Sequence, residues 1–537
     1  MRPLHRPLSA AFALPLAALL ACGPADPKGT ASGTDSAPGP DTAAPARGPL
    51  RRVDLPSAPA TMLLLTLTPE GVVVDDALAV DFFVDLDPVV GPDEAFRTRV
   101  LDAGGAELYR RETPTPVLVR DFLAHYSGIA GVDILSLLPD LGAFHVFVPQ
   151  LAGAAAVVFE LRDERGVYAE VGRWDPARAP TRPAAPPEVV IGSATLVESG
   201  PSDQMLDLTL IGDGYTADEQ AAWRADAAAL AERLRGAAPL SAFAGRINIH
   251  RVDAVSAESG ASYDCMGECR FRDTAFRSVF AVNFINEISG TDYRSTTLFQ
   301  LGQHELDRAL AVVPTDLAIV VVNSEKSGGM SIHHAAASNG GATWTDTGVH
   351  ELGHLLGLLG DEYTADACIR SPAMGLPRNI TDAPTAPPWA HWVEASTPLP
   401  TPEGEGHDAA VGAFSSAYNC ADLYRPVQTC RMKSASTAEF CPVCAEQLVL
   451  QLTRYTDLAA VTVVPSAEGD LIEVDTLGLD HQLSTSTDGR SWTPASAPLR
   501  VTGDELYLQI ALQTPLVRSP AGLLTEQVHL RRDPPAE

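Results

Sequence analysis

The chain has 537 residues, of which 45% are hydrophobic and 20% charged; this is the composition of folded protein rather than of a disordered polymer, and the length predicts two to four domains. Its 38 basic and 68 acidic side chains leave a formal net charge of -30. A field of that sign repels phosphate backbones and argues against nucleic acid as a partner.

Arg2, His5 and Arg6 make a basic start, followed by an apolar run from Leu8 to Ala21. That run is too short, and too interrupted by Pro15, to span a bilayer, and reads as a signal peptide over residues 1–22. Its end, Leu19-Leu20-Ala21-Cys22, resembles a bacterial lipoprotein signal. The resemblance implies that Cys22 is acylated and anchors an exported chain to the cell envelope. With Gly23 rather than Asp next, the outer membrane or cell surface is the expected location. Residues 23–60 are Ala, Pro, Gly, Ser, Thr and Asp with almost no large apolar side chain, too little to offset ordering entropy, and are expected to be a flexible tether.

From 61 to 175, short β-rich runs separated by turn residues (Leu63–Leu67, Leu78–Val84, Val117–Val119, Phe144–Val148 and Ala156–Leu161) predict a β-sandwich. A Pro/Ala stretch over 176–188 reads as a linker. Between 189 and 455 strands and helices alternate. Leu206–Ile211, Ile247–Val252 and Leu317–Asn323 are predicted strands, and Thr297–Leu310 a predicted helix. Thr216 with Glu219 forms a capping box that opens a helix to about Arg235. This mixture predicts an α/β core. After Thr456 helical signals stop. Ala460–Val464 and Leu506–Ala511, with the Thr487-Asp488-Gly489 turn, predict a small β-sandwich over 456–537.

His350-Glu351-Leu352-Gly353-His354 is an HExxH pattern. Positions four apart on a helix lie about 40° from each other, so both imidazoles can face one Zn²⁺. Glu351 lies beside that face, where its carboxylate can take a proton from a metal-activated water as general base. Leu355, Leu356, Leu358 and Leu359 supply a buried helical surface, and Thr347 can cap the start of a helix running to about Leu359. A catalytic zinc needs a third protein ligand and an open position. On a straight helix Asp361 would lie about 10 Å of rise beyond His354, so the chain is expected to turn at Gly357 or Gly360. Asp361 is favoured as third ligand over Glu362, with another His or Glu as the remaining alternative.

The run from His350 through Gly357, Gly360 and Asp361-Glu362-Tyr363 resembles the active-site segment of the bacterial immunoglobulin A metallopeptidase family, of metzincin-like class. Gly212-Asp213-Gly214-Tyr215-Thr216, Tyr424-Arg425-Pro426, Cys430-Arg431-Met432 and Phe440-Cys441-Pro442-Val443-Cys444 match it in kind and order, over about 190–455. The resemblance implies an α/β zincin catalytic domain with one catalytic Zn²⁺ and a protein or peptide substrate; with the β-sandwiches predicted on either side, the chain is expected to be multidomain. It implies that Met432 forms the turn beneath the metal, and that Tyr424 and Arg425 either donate to a substrate carbonyl or anchor a loop. Gly212–Thr216 reads as a strand-to-helix turn, Ser327–Ser331 as a cleft edge that pairs with substrate, and His333 and His334 as surface or rim residues.

With Cys22 set aside for lipid, seven of the 8 cysteines remain, so one thiol is expected left over. Cys441 and Cys444 read as a disulfide or buried thiols, with half a zinc knuckle or a redox pair as alternatives. Two other functions stay open: a non-catalytic envelope binding lipoprotein, which has no need of His350, Glu351 and His354 together, and a zinc hydrolase acting on a non-peptide bond.

Overall fold

The computed structural model describes residues 49–532 apart from 54–56, 69, 86–95, 114–141, 164, 179–180, 184, 203, 291–295, 364–367, 369–375, 405, 419, 436–438 and 519–523. The expected signal peptide with Cys22, most of the expected tether and the strand expected at Val117–Val119 lie outside the described residues. The fold mixes many strands with few helices. Among the described residues no helix is long and apolar enough to cross a membrane.

The central sheet has six strands in the order Val190–Val197, Ile247–Ala254, Leu206–Asp213, Leu317–Val322, Ala335–Ser338 and Gly329–Ser331. The four inner strands run parallel, and the two outer ones are antiparallel to their neighbours. Leu206–Asp213 and Leu317–Val322 are buried along their whole length, as expected of parallel strands covered on both faces. The helix Gln220–Gly236 packs Trp223, Ala227, Leu230 and Leu234 onto the sheet. It follows a 3₁₀ turn at which the Glu219 carboxylate accepts the Thr216 N–H and hydroxyl, both at 2.9 Å. The Gly-Asp-Gly-Tyr-Thr segment is the turn between strand and helix. Asp213 accepts the amides of Phe276 at 3.0 Å and Ser278 at 2.9 Å. Gly214 has φ +76° and sits so close to the Gly260 carbonyl that a Cβ would collide with it.

The helix expected over Thr297–Leu310 is divided. Leu298–Gln300 pairs as a strand with Ser278–Phe280, and the helix covers only Gln303–Leu310. Gly302, at the joint, lies about the backbone of Phe276, where a Cβ would meet three atoms at 3.1 Å. Close packing there, rather than local propensity, sets the boundary.

Before the central sheet, two four-stranded sheets share one apolar cluster in which Phe96 meets Phe144 edge-on at 5.5 Å. The strands predicted at Leu63–Leu67, Leu78–Val84, Phe144–Val148 and Ala156–Leu161 lie within Ser57–Thr68, Gly71–Asp85, Ala143–Pro149 and Ala154–Arg162. Within the stretch read as a linker, Arg182–Pro183 pairs with Leu78–Ala79, and Arg182 forms an ion pair with Asp76. Beyond the central sheet stand a three-stranded and a five-stranded sheet. Leu50–Arg52, expected to be tether, adds the outer strand of the latter by pairing with Leu530–Arg532. The tether expectation therefore fails at its C-terminal end: Leu50 is buried there and its N–H reaches Asp470 Oδ2 at 2.7 Å. Ile472, Leu508 and Leu530 join the same apolar cluster as Leu352 and Leu356, so one core runs from the HExxH helix into the last sheets.

Candidate metal centre

The HExxH helix spans Trp344–Gly357, with Val349, Leu352 and Leu356 buried. It begins after Thr343 rather than at Thr347, which lies inside it. It ends at Leu358, a non-glycine residue with φ +53°, whose N–H returns to the His354 carbonyl at 3.1 Å. The chain therefore reverses at Leu358 and not at either glycine expected to allow the turn. The two glycines answer to packing instead. A Cβ at Gly357 would lie 2.9 Å from the Leu359 side chain, and one at Gly360 would lie 2.7 Å from Pro377.

The reversal carries Asp361 back over the histidines. Asp361 Oδ1 is 3.2 Å from His350 Nε2 and 3.3 Å from His354 Nε2, and the two Nε2 atoms are 3.2 Å apart. Each imidazole is oriented from behind: His350 Nδ1–H donates to the Arg431 carbonyl at 2.9 Å, and His354 Nδ1–H to the Leu359 carbonyl at 2.7 Å. With the proton held on Nδ1, both Nε2 lone pairs face Asp361 Oδ1, which is buried without a hydrogen-bond partner. Three acceptors this close repel one another unless a cation or a shared proton lies among them. The donor set therefore fits a divalent metal ion.

Burial opposes the protonated form of His354, but the Asp361 carboxylate outweighs it and raises the imidazole to about 9. Burial likewise opposes the Asp361 anion, and the His354 and His350 charges pull it below the usual carboxylate range. Metal and protons thus compete for the same atoms. Burial pushes the Glu351 carboxyl up, and the two imidazoles take back part of that rise. Glu351 lies against the outer strand Gly329–Ser331, where a Cβ at Gly329 would collide with its Oε1. Met432 is fully buried beneath the helix: a Cβ at Gly353 would lie 2.8 Å from its Sδ.

The remaining expected residues are placed elsewhere. Glu362 is turned away from the histidines and fully buried, accepting from Asn379 at 2.9 Å and from the Cys444 thiol at 3.2 Å. Tyr424 lies on the strand Cys420–Arg425 and is bridged to Thr381 through both backbone groups. Among the described residues no hydrogen bond or ion pair joins its side chain to His350, Glu351, His354 or Asp361. The tyrosine nearer the centre is Tyr418, which the sequence reading passed over. Its N–H donates to the Asp361 carbonyl at 2.9 Å, and burial together with the Asp361 charge pushes its phenol to about 12. Arg425 anchors a loop, bonding the Ser415 and Ser416 carbonyls and Glu403.

His333 and His334 are not rim residues. Asp307, fully buried, takes His145 Nδ1 at 2.9 Å and His334 Nε2 at 3.0 Å, and His333 stacks on Phe144. The strand Ala143–Pro149 brings its own histidine and covers them, a long-range contact with no local signature. Disulfides join Cys265 to Cys269 and Cys368 to Cys420. Cys430, Cys441 and Cys444 remain as three buried thiols rather than one, and no bond joins Cys441 to Cys444.

No individual curated protein matches the chain. Residues 194–407, which hold most of the central sheet, the HExxH helix and Asp361, match the family described as IgA Peptidase M64, a family of metal-dependent peptidases. The match, with the order of the motifs around it, supports a metallopeptidase of the IgA peptidase M64 kind over that part of the chain.

Proposed function

We propose that the chain is a zinc endopeptidase that cleaves proteins outside the cytoplasm, built as a metzincin-like zincin domain between two β-sandwiches. One observation carries the proposal: two imidazole nitrogens and a carboxylate oxygen lie within 3.3 Å of one another, beside a buried glutamate of the same helix. A tetrahedral zinc site with bonds near 2.0–2.1 Å has edges of about 3.3–3.4 Å, close to the spacing of these three atoms. His350, His354 and Asp361 would hold the ion.

Zinc, when bound, supplies Lewis acidity that eases deprotonation of a water and polarises a carbonyl. Glu351 takes the proton from the attacking water and passes it to the leaving amine. The Arg431 and Leu359 carbonyls hold the Nδ1 protons, so that each Nε2 can offer its lone pair to the ion once its own proton is displaced. An extended substrate is placed along the outer strand Gly329–Ser331, which runs beside Glu351. Donation to the carbonyl oxygen falls to the Tyr418 phenol, which the Asp361 charge reaches, rather than to Tyr424. Cys22 carries the lipid, and the polar stretch after it lets the enzyme reach outward from the envelope.

Glu351→Gln tests the reading on casein and a peptide library. It keeps the shape and the metal ligands but cannot accept a proton, so turnover is expected to fall by about 10²–10⁴-fold with the metal retained. Wild-type turnover in this variant would overturn the assignment.

A further inference from the structure

A second cluster of donors lies behind the first. Glu362 Oε1 is 3.2 Å from Cys444 Sγ, Cys444 Sγ is 3.7 Å from Cys430 Sγ, and the ligand atoms of Glu362, Cys430, Cys441 and Cys444 all lie within 4.8 Å of one another. All four residues are buried, and Glu362 Oε2 has no partner. We infer that these four residues form a second, structural metal centre, a closed tetrahedral Cys₃Glu site suited to Zn²⁺.

Three features of the cluster favour a metal over a disulfide or inert thiols. A zinc–thiolate tetrahedron with bonds near 2.3 Å has sulfur–sulfur edges of about 3.8 Å, and the Cys430–Cys444 separation matches that edge, whereas Cys265–Cys269 and Cys368–Cys420 are bonded. A helix terminus also faces the sulfurs. Cys441 is the N-cap of the helix Pro442–Leu452, which places Cys441 and Cys444 at its positive end, and the Cys441 N–H lies 3.3 Å from Cys430 Sγ. Finally, Glu362 is fully buried against these sulfurs with Oε2 left without a partner, an oxygen that an ion in the cluster would occupy. Four protein ligands leave no open position, so the site is structural rather than catalytic.

Its place in the chain gives it a purpose. Glu362 follows Asp361 directly, and Cys430 precedes Arg431, whose carbonyl orients His350, and Met432, whose carbonyl accepts the Glu362 N–H at 2.8 Å. An ion held by Glu362 and Cys430 therefore pins both segments that complete the catalytic centre. The inference stands on its own ligands and does not depend on peptidase activity.

Metal analysis of the purified full-length chain tests it. Wild type is expected to hold two zinc equivalents, His354→Ala one, and Cys444→Ser one. The zinc kept by His354→Ala should show three sulfur neighbours by X-ray absorption. A single equivalent in wild type that Cys444→Ser leaves unchanged would overturn the inference, as would a disulfide among Cys430, Cys441 and Cys444. A single equivalent lost in Cys444→Ser but kept in His354→Ala would uphold it and sink the HExxH site instead. Should Cys444→Ser fail to fold, wild type loaded with Co²⁺ decides. A thiolate-to-cobalt charge-transfer band is expected, and its absence refutes the site.

Discussion

Gly353→Ala sets helix propensity against packing inside the metal motif. In a helix interior alanine is worth up to about 1 kcal/mol over glycine. Here the added Cβ would lie 2.8 Å from Met432 Sδ and 2.8 Å from Phe440 Cε1, closer than non-bonded carbons settle. Neither neighbour can simply retreat: Met432 is fully buried with its carbonyl taken by Glu362, and Phe440 is buried beside Cys441. Overpacking of this kind typically costs about 1–3 kcal/mol, so the net loss is about 1 kcal/mol, or a few degrees in Tm. The functional cost should be larger than the stability cost. Displacing Met432 moves the Arg431 carbonyl away from His350 Nδ1, and losing such an orienting contact typically lowers metal affinity about 10–100-fold. Thermal melts and zinc titration of the purified variant measure both, with Gly236→Ala as the control. A Cβ at Gly236, at a helix end, meets nothing within 4 Å, so that variant should be neutral or slightly stabilised. A Gly353→Ala protein more stable than wild type, with unchanged zinc affinity, would refute the packing argument.

Asp361→Ala should lose the metal at the HExxH centre and most activity while circular dichroism stays native; undiminished metal content would move the third ligand elsewhere. His333 stays neutral when folded because burial, with the His334 charge, lowers it to about 3 against an ordinary 6.5. A lowered histidine leaves stability intact above its unfolded pKa and withdraws it as pH falls from about 6.5 toward 3, at up to about 1.4 kcal/mol per pH unit. His333→Phe should flatten that part of the urea-midpoint profile; an unchanged slope would exclude His333 as its source. Cys22→Ser should release the chain from membrane fractions or block its processing, since stable attachment takes at least two acyl chains; efficient processing with membrane retention would show that the folded domains attach it.

The parts of the site legible in the chain are those set by local periodicity. An i, i+4 pair of histidines faces one way on any helix, so His350, His354 and the place of Glu351 followed from spacing alone. Strands with continuous apolar runs, such as Leu317–Val322, were legible because two covered faces leave no polar alternative. The sequence favours Asp361 over Glu362, but the turn that delivers it lies at Leu358, where tertiary contacts hold a conformation that local preference disfavours. Contacts between distant segments had no local trace. The pairing of Leu50–Arg52 with Leu530–Arg532, the burial of His333 and His334 under a strand that contributes His145, and the gathering of Glu362 with Cys430, Cys441 and Cys444 each join separated parts of the chain. Side chains that share one charge or one apolar face find each other only after the sheets have packed, so those features belong to the tertiary structure and not to any window of the sequence.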